Sequence, residues 1–215
     1  MNRTIFFQNI INPILSFCPP KIAWSVLFYI HHKYRMNWKK PTTYDEKLTW
    51  LEVTEFDSRL NKYVDKYEAR NYIMECGFAK NLPEVYGVWD RPESIEWDKL
   101  PSKFILKTTQ GAGDEFYYIC QDKFLCDKNK IVDKFSKAIS IEFWRRTCEY
   151  QYKGIKPRIF AEELLDLGKG ERMVDYKVHC FNGEPECVLV CSNRGGGIIM
   201  LGLLRFKLEL YRYCS

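Results

Sequence analysis

Histidine and recognisable nucleophile motifs are scarce in this sequence. Its 215 residues include 3 histidines, and none of them stands in a nucleophile motif. No CxxC pair occurs among the 9 cysteines, which excludes zinc-ribbon and thioredoxin-like sites. Triad hydrolases are therefore unsupported, and the cysteines are expected to be buried, reduced thiols of a cytosolic protein.

Long apolar runs are also missing. The most apolar stretch, Ile22 to Ile30, has 9 residues, fewer than half of the roughly 20 that span a bilayer. Polar residues and Pro13 interrupt the segment after Arg3, which weakens a signal-peptide interpretation. We expect a cytoplasmic protein, with the inner face of the membrane as an alternative location.

Acidic residues are absent from residues 1–43, which contain six basic residues. The net charge of the whole chain is +5, and the remainder beyond this segment is close to neutral. A nucleic-acid binder normally carries its basic surface on the folded domain, so no nucleic acid is expected as a partner. The segment either contacts an anionic membrane peripherally or packs as an ordinary helix, and we favour the packed helix.

Aromatic residues make up 16% of the chain, enough for a real core in one domain or two small lobes. Hydrophobic spacing predicts helices first, then a hairpin, a helix, a strand and a second hairpin, which is typical of an α+β fold. Thr43 and Glu46 have the spacing of a capping box. The predicted helices are 22–35, 44–53, 58–76 and 129–148, and the predicted strands are 84–89, 103–109, 116–120, 159–165, 174–181 and 186–192.

The same pattern predicts five segments. They are a basic, apolar helical segment (1–43), a helical subdomain (44–100), a glycine-loop lobe (101–165), the start of a second lobe (166–194) and an atypical tail (195–215).

The most informative motif runs from Lys107 to Asp114, KTTQGAGD. A lysine near a strand end followed by Gly111, Ala112 and Gly113 offers a fixed charge and accessible backbone amides, which suit phosphate. The motif lacks the GK[ST] of a Walker loop and the GxGxxG of a dinucleotide-binding fold. Taken alone, such a loop is more often an ordinary hairpin turn.

Three further motifs have both plain and functional interpretations. Lys66 is a solvated lysine early in a helix, or a second phosphate ligand. Glu162 and Glu163 are surface acids, or part of a hinge strand that binds adenine. Asp175 and Lys177 share one strand face, as a surface pair or as ligands of a ribose and a phosphate.

Together these motifs resemble the ATP-grasp superfamily, and most closely its TupA-like branch, which is found with genes for teichuronopeptide and other cell-surface polysaccharides. The resemblance covers about residues 40–194. The stretches that carry it are KKPTTYDEKLTWL (39–51), VDKYEARNYI (64–73), KFILKTTQGAGDEFY (103–117), IFAEELL (159–165) and VDYKVHCFNGEPECV (174–188).

The resemblance implies an ATP-grasp-like fold with an incomplete C-terminal lobe. It also implies ATP and Mg²⁺ as cofactors, and a carboxylate–amine ligase that acts through an acylphosphate on a polysaccharide or sugar-acid acceptor. The residues it assigns to the ATP phosphates are Lys66, Lys107, Gly111, Ala112 and Gly113. Those it assigns to adenine and ribose are Glu162, Glu163, Leu165 and Asp175, while Lys177 and Arg194 match family positions without an assigned role.

The end of the chain departs from the family. Glu209 is the one acid after Arg194, so the usual carboxylate ligands for Mg²⁺ are not found there. The composition changes at Gly195, which suggests truncation or a frameshift and predicts an impaired enzyme with exposed edge strands near 186–192. A polysaccharide-pathway glycosyltransferase and a non-catalytic nucleotide-binding module remain the alternatives.

Overall fold

The computed structural model describes residues 7–55, 57–165, 174–192 and 200–205. The chain divides into two compact units, Met1–Leu164 and Leu165–Ser215. The structure is α+β, as the sequence predicts. No helix among these residues is both long and apolar enough to cross a membrane.

Helices and the first four strands make up the described part of the first unit. The helices are α1 (Asn12–Leu15), α2 (Pro20–His32), α3 (Tyr44–Thr54), α4 (Asn61–Val64), α5 (Glu68–Glu75), α6 (Lys128–Ser140) and α7 (Phe143–Thr147). The strands are β1 (Val85–Trp89), β2 (Phe104–Thr108), β3 (Tyr117–Cys120) and β4 (Ile159–Glu162). The capping box before α3 is confirmed, because Thr43 and Glu46 exchange side-chain and backbone hydrogen bonds.

Three of the predicted helices are interrupted or shorter than expected. The helix over 22–35 ends at His32, because Lys33 adopts a left-handed conformation with φ of 64°. The helix over 58–76 breaks at Asp65, whose ψ of 117° is extended and whose side chain caps the next turn. The helix over 129–148 ends at Ser140, because β-branched Ile141 is also extended.

One sheet, in the order β1-β4-β2-β3, forms the centre of the first unit, and each neighbouring pair is antiparallel. One face carries Phe104, Leu106 and Ile159, which pack with Ile131 and Phe135 of α6 into the main hydrophobic core. By strand alternation the opposite face carries Lys107, Phe160 and Glu162. The sheet therefore has one apolar face for the core and one face that presents charged groups.

The second unit contains a three-stranded antiparallel sheet in the order β5-β6-β7. Its strands are β5 (Asp175–Phe181), β6 (Glu184–Ser192) and β7 (Met200–Arg205), and Asn182 and Gly183, with positive φ, form the hairpin turn. The prediction that the strand near 186–192 is an exposed edge is wrong. It is the central strand, because the apolar stretch 200–205 pairs with it.

Candidate nucleotide-binding site

The break between α4 and α5 positions the first predicted lysine. Asp65 is buried, and its Oδ1 accepts hydrogen bonds from the backbone of Tyr67 at 2.8 Å and of Glu68 at 2.9 Å. This cap starts α5 and leaves Lys66 in the turn. The Lys66 N–H donates to the Thr109 carbonyl at 2.9 Å, which holds the turn against the end of β2.

The ammonium of Lys66 reaches the glycine loop. Its Nζ donates to the Gly111 carbonyl at 2.5 Å. Desolvation and the positive charge of nearby Lys107 lower the pKa of Lys66 to about 8, against a smaller opposing effect of Asp65. The structure thus brings the two predicted lysines close enough to repel each other, an arrangement that an anion between them would relieve.

Lys107 projects from the charged face of β2 towards an acid of β4. Its Nζ forms an ion pair with Glu162 Oε1. Arg70 of α5 pairs with the other carboxylate oxygen at 3.1 Å, and a second Arg70 nitrogen donates to the Pro83 carbonyl. Glu162 is buried, so its charge depends on these two cations.

The glycine loop has a fixed base and an exposed tip. The Thr108 hydroxyl donates to the Gln110 carbonyl, and the Gln110 amide donates to the Ile141 carbonyl at 2.8 Å. Gly111 has φ of +88°, and a Cβ there would collide with the Phe116 ring. Ala112 and Gly113 are exposed, and Gly113 has φ of +103° with open space around its Cα. Exposed backbone on a fixed base is what a phosphate-binding loop requires.

The other predicted site residues are Glu163, Leu165, Asp175, Lys177 and Arg194. Glu163 is exposed, and its backbone N–H donates to the Glu84 carbonyl at 2.8 Å. Leu165 begins the second unit, in which Asp175 and Lys177 form an ion pair of 2.5 Å. Arg194 lies outside the described residues.

A comparison with protein families gives one match. The model of the TupA-like ATP-grasp family matches residues 46–196, most of the chain. The chain belongs to the TupA-like ATP-grasp family. No curated protein and no solved structure matches it. The matched range contains both lysines, the glycine loop and the Glu162 strand, so the charged face of the sheet lies within the ATP-grasp region.

The sequence analysis did not identify two cations of this candidate site. Arg70 holds Glu162, and Arg158 pairs with Glu68 at 2.6 Å and lies over the Tyr67 ring at 5.0 Å. Arg70 follows Lys66 by four residues in the predicted helix 58–76, and that spacing could have indicated Arg70, although Lys66 itself lies in a turn. No local signal indicates Arg158, because its partners are about 90 residues away along the chain.

A polar cavity of about 610 Å³ adjoins the turn that carries Lys66 and the start of β4. Asp65, next to Lys66, and Arg158, whose carbonyl accepts from the Thr109 N–H, both line it. Lysine and arginine side chains outnumber the carboxylates in its lining, which includes Arg59, Lys62, Lys156, Glu68 and Asp90. The cavity therefore adds further basic side chains next to the two lysines of the candidate site.

The described residues do not supply a complete protein site for Mg²⁺. No group of three His, Cys, Asp or Glu side chains in this part of the chain could hold a metal ion. Of the two buried acids of the site, Glu162 is engaged by Lys107 and Arg70, and Asp65 accepts two backbone N–H groups and lies 3.7 Å from Arg158. The fit of Mg²⁺ to this part of the chain therefore fails, and the lysines and backbone amides supply the groups available to phosphate.

Proposed function

We propose that the chain binds ATP on the charged face of the first sheet and acts as a carboxylate–amine ligase in cell-surface polysaccharide biosynthesis. One observation carries this proposal: Lys66 and Lys107 converge beside the glycine loop, where burial and then the charge of Lys107 lower the pKa of Lys66. Two converging lysines and exposed backbone amides are the groups that bind polyphosphate.

The register of the strands supports a direction for the nucleotide. Glu162 and Phe160 lie on the charged face of β4, with Lys107 opposite Phe160, and Arg158 immediately precedes this strand. At about 3.3 Å per residue of extended chain, the backbones of Glu162 and Arg158 are about 13 Å apart. If adenine lies at the Glu162 end, as the family likeness implies, the phosphates lie at Lys107 and the terminal phosphate points towards Arg158.

The polar cavity at the Arg158 end supports a location for the acceptor. Lys62 lines it and contacts the Tyr63 ring at 4.9 Å, whereas Lys156 and Arg158 pair with Asp90 and Glu68. A carboxylate that enters the cavity would find its charged donor in Lys62. Its volume also accommodates a sugar-acid or peptide unit.

The chemistry follows from this order. A carboxylate oxygen attacks the terminal phosphorus, the bond from that phosphorus to the bridging oxygen breaks, and ADP leaves with the electron pair. An amine then attacks the acyl carbon, the bond from that carbon to the phosphate oxygen breaks, and phosphate leaves with the electron pair and takes up the proton that the amine loses. Positioning and neutralisation of charge by lysines carry such a transfer.

The ligase proposal predicts carboxylate-dependent release of ADP. With the full chain, ATP and glucuronate or glutamate, hydroxylamine should trap an acyl hydroxamate. Lys62→Ala should raise the half-saturating carboxylate concentration by about tenfold. The matched control is Lys99→Ala, which removes an exposed lysine paired with Glu96 and should have no effect.

Three other outcomes of this experiment would contradict the ligase proposal. ATP binding without carboxylate-dependent turnover would favour the non-catalytic module. Binding of a UDP-sugar in place of ATP would favour the glycosyltransferase. An equal effect of Lys62→Ala and Lys99→Ala would exclude the cavity as the acceptor site.

The pKa of Lys66 predicts a pH-dependent affinity for ATP. Bound phosphate raises this pKa above its free value of about 8, so the affinity is full below that value and falls as pH rises through the bound pKa. The fall is at most about tenfold per pH unit for one proton. Lys66→Arg stays charged and should flatten the profile, which calorimetry at several pH values would measure. A profile that is unchanged in Lys66→Arg would exclude Lys66 as the titrating group.

A further inference from the structure

Helix α2 has two apolar faces, and one of them is turned to solvent. Ala23, Leu27 and Phe28 are buried against the first unit. Ile22, Val26 and Tyr29, spaced i, i+4 and i+7, are exposed by 54%, 40% and 53%. The buried face already anchors the helix in the fold, so the outer stripe is not needed for packing within the described residues.

A groove beside this stripe continues the apolar surface. Its volume is about 530 Å³, and its lining includes Val26, Tyr29, Met36, Trp38 and Arg35. The Trp38 indole donates to the Ser25 hydroxyl at 2.8 Å, which fixes one wall of the groove against α2. Apolar and aromatic groups thus border a guanidinium, the combination that the boundary between lipid chains and headgroups favours.

The Lys, Arg, Asp and Glu side chains of the segment that carries the stripe are all basic. Residues 1–43 contain Arg3 and five further basic residues and no acid. Lys33, Arg35, Lys39 and Lys40 of this segment are exposed. Asp45, just beyond the segment, lies 3.8 Å from His32 at the end of α2, but the segment itself has the composition that an anionic lipid surface attracts.

We propose that the outer face of α2 and the basic segment around it bind an anionic membrane surface. Ile22, Val26 and Tyr29 enter the headgroup boundary, and Lys39 and Lys40 contact lipid phosphates. The site is independent of the proposed nucleotide chemistry. It would hold the protein at the membrane surface.

Vesicle co-sedimentation of the full chain tests this proposal. Binding is expected to vesicles of phosphatidylglycerol and phosphatidylcholine in equal parts, to weaken with salt, and to be absent with phosphatidylcholine alone. Lys39→Gln/Lys40→Gln should weaken binding by about fivefold per charge, since each contributes about 1 kcal/mol near such a surface. Ile22→Gln/Tyr29→Gln should weaken it further without changing the thermal unfolding of the chain.

Two matched controls distinguish binding by this surface from non-specific electrostatic or hydrophobic binding. Lys128→Gln/Lys130→Gln makes the same change in net charge on the exposed start of α6. Phe124→Gln/Leu125→Gln removes two apolar side chains that are each 85% exposed. Equal losses in test and control variants would overturn the proposal, as would binding that ignores lipid charge. Self-association abolished by Ile22→Gln/Tyr29→Gln, without vesicle binding, would make a second copy the occupant instead.

Discussion

Replacing Lys107 with methionine is expected to weaken ATP binding by about ten- to a hundredfold, as expected for one charged hydrogen bond to phosphate. Adenosine, which has no phosphate, should bind the variant as it binds the original chain. The reason is the position of Lys107 in the middle of the charged face, beside Lys66 and the glycine loop. Calorimetric titration of both ligands measures the ratio of the two affinities.

That ratio distinguishes a lost phosphate contact from a damaged fold. Removing Lys107 also leaves Glu162 with Arg70 as its described partner, so some loss of stability is expected in the same variant. A folding defect would lower the affinities for ATP and adenosine together. Lys99→Met removes an exposed lysine from the same unit and serves as the matched control. An unchanged affinity for ATP in Lys107→Met would exclude the charged face as the phosphate site.

The hairpin that carries Lys107 could be predicted because its signals are local. Alternating apolar residues predict β2, and the glycines at 111 and 113 both adopt the positive φ that the loop requires. The capping box at Thr43 is local for the same reason. Where a few neighbouring residues decide the conformation, the sequence was sufficient.

The position of Lys66 depends on a competition between a continuous helix and a side-chain cap, which hydrophobic periodicity does not reveal. Helical spacing continues through 58–76, but the Asp65 side chain caps the next turn and ends α4. Lys66 therefore lies in a turn bonded to Thr109, and not on a helix face. The pairing of Glu162 with Arg70 was equally hidden, because its two residues are 92 positions apart.

The Glu162 carboxylate yields the second large prediction, which concerns stability. Glu162→Gln keeps the shape but removes the negative charge between Lys107 and Arg70, whose side chains are 32% and 13% exposed. Breaking a buried ion pair from one side costs about 3–5 kcal/mol, and the partial exposure of Lys107 favours the lower end. Chemical denaturation should therefore show a lower free energy of unfolding for the first unit.

The neighbouring acid is a control of the same chemistry. Glu163→Gln changes an exposed carboxylate whose nearest described hydrogen-bond donor, the Glu84 N–H, is 3.4 Å away, so its stability should change by less than about 0.5 kcal/mol. The family likeness assigns both acids to adenine, whereas the contacts of Glu162 are those of a residue that positions Lys107. Glu162→Gln should therefore lower the affinity for ATP more than the affinity for adenosine, because Lys107 loses its fixed partner. Equal stability of the two variants would show that the Glu162 carboxylate does not bind the two cations. A loss of affinity for adenosine alone would support the assignment of Glu162 to the adenine site.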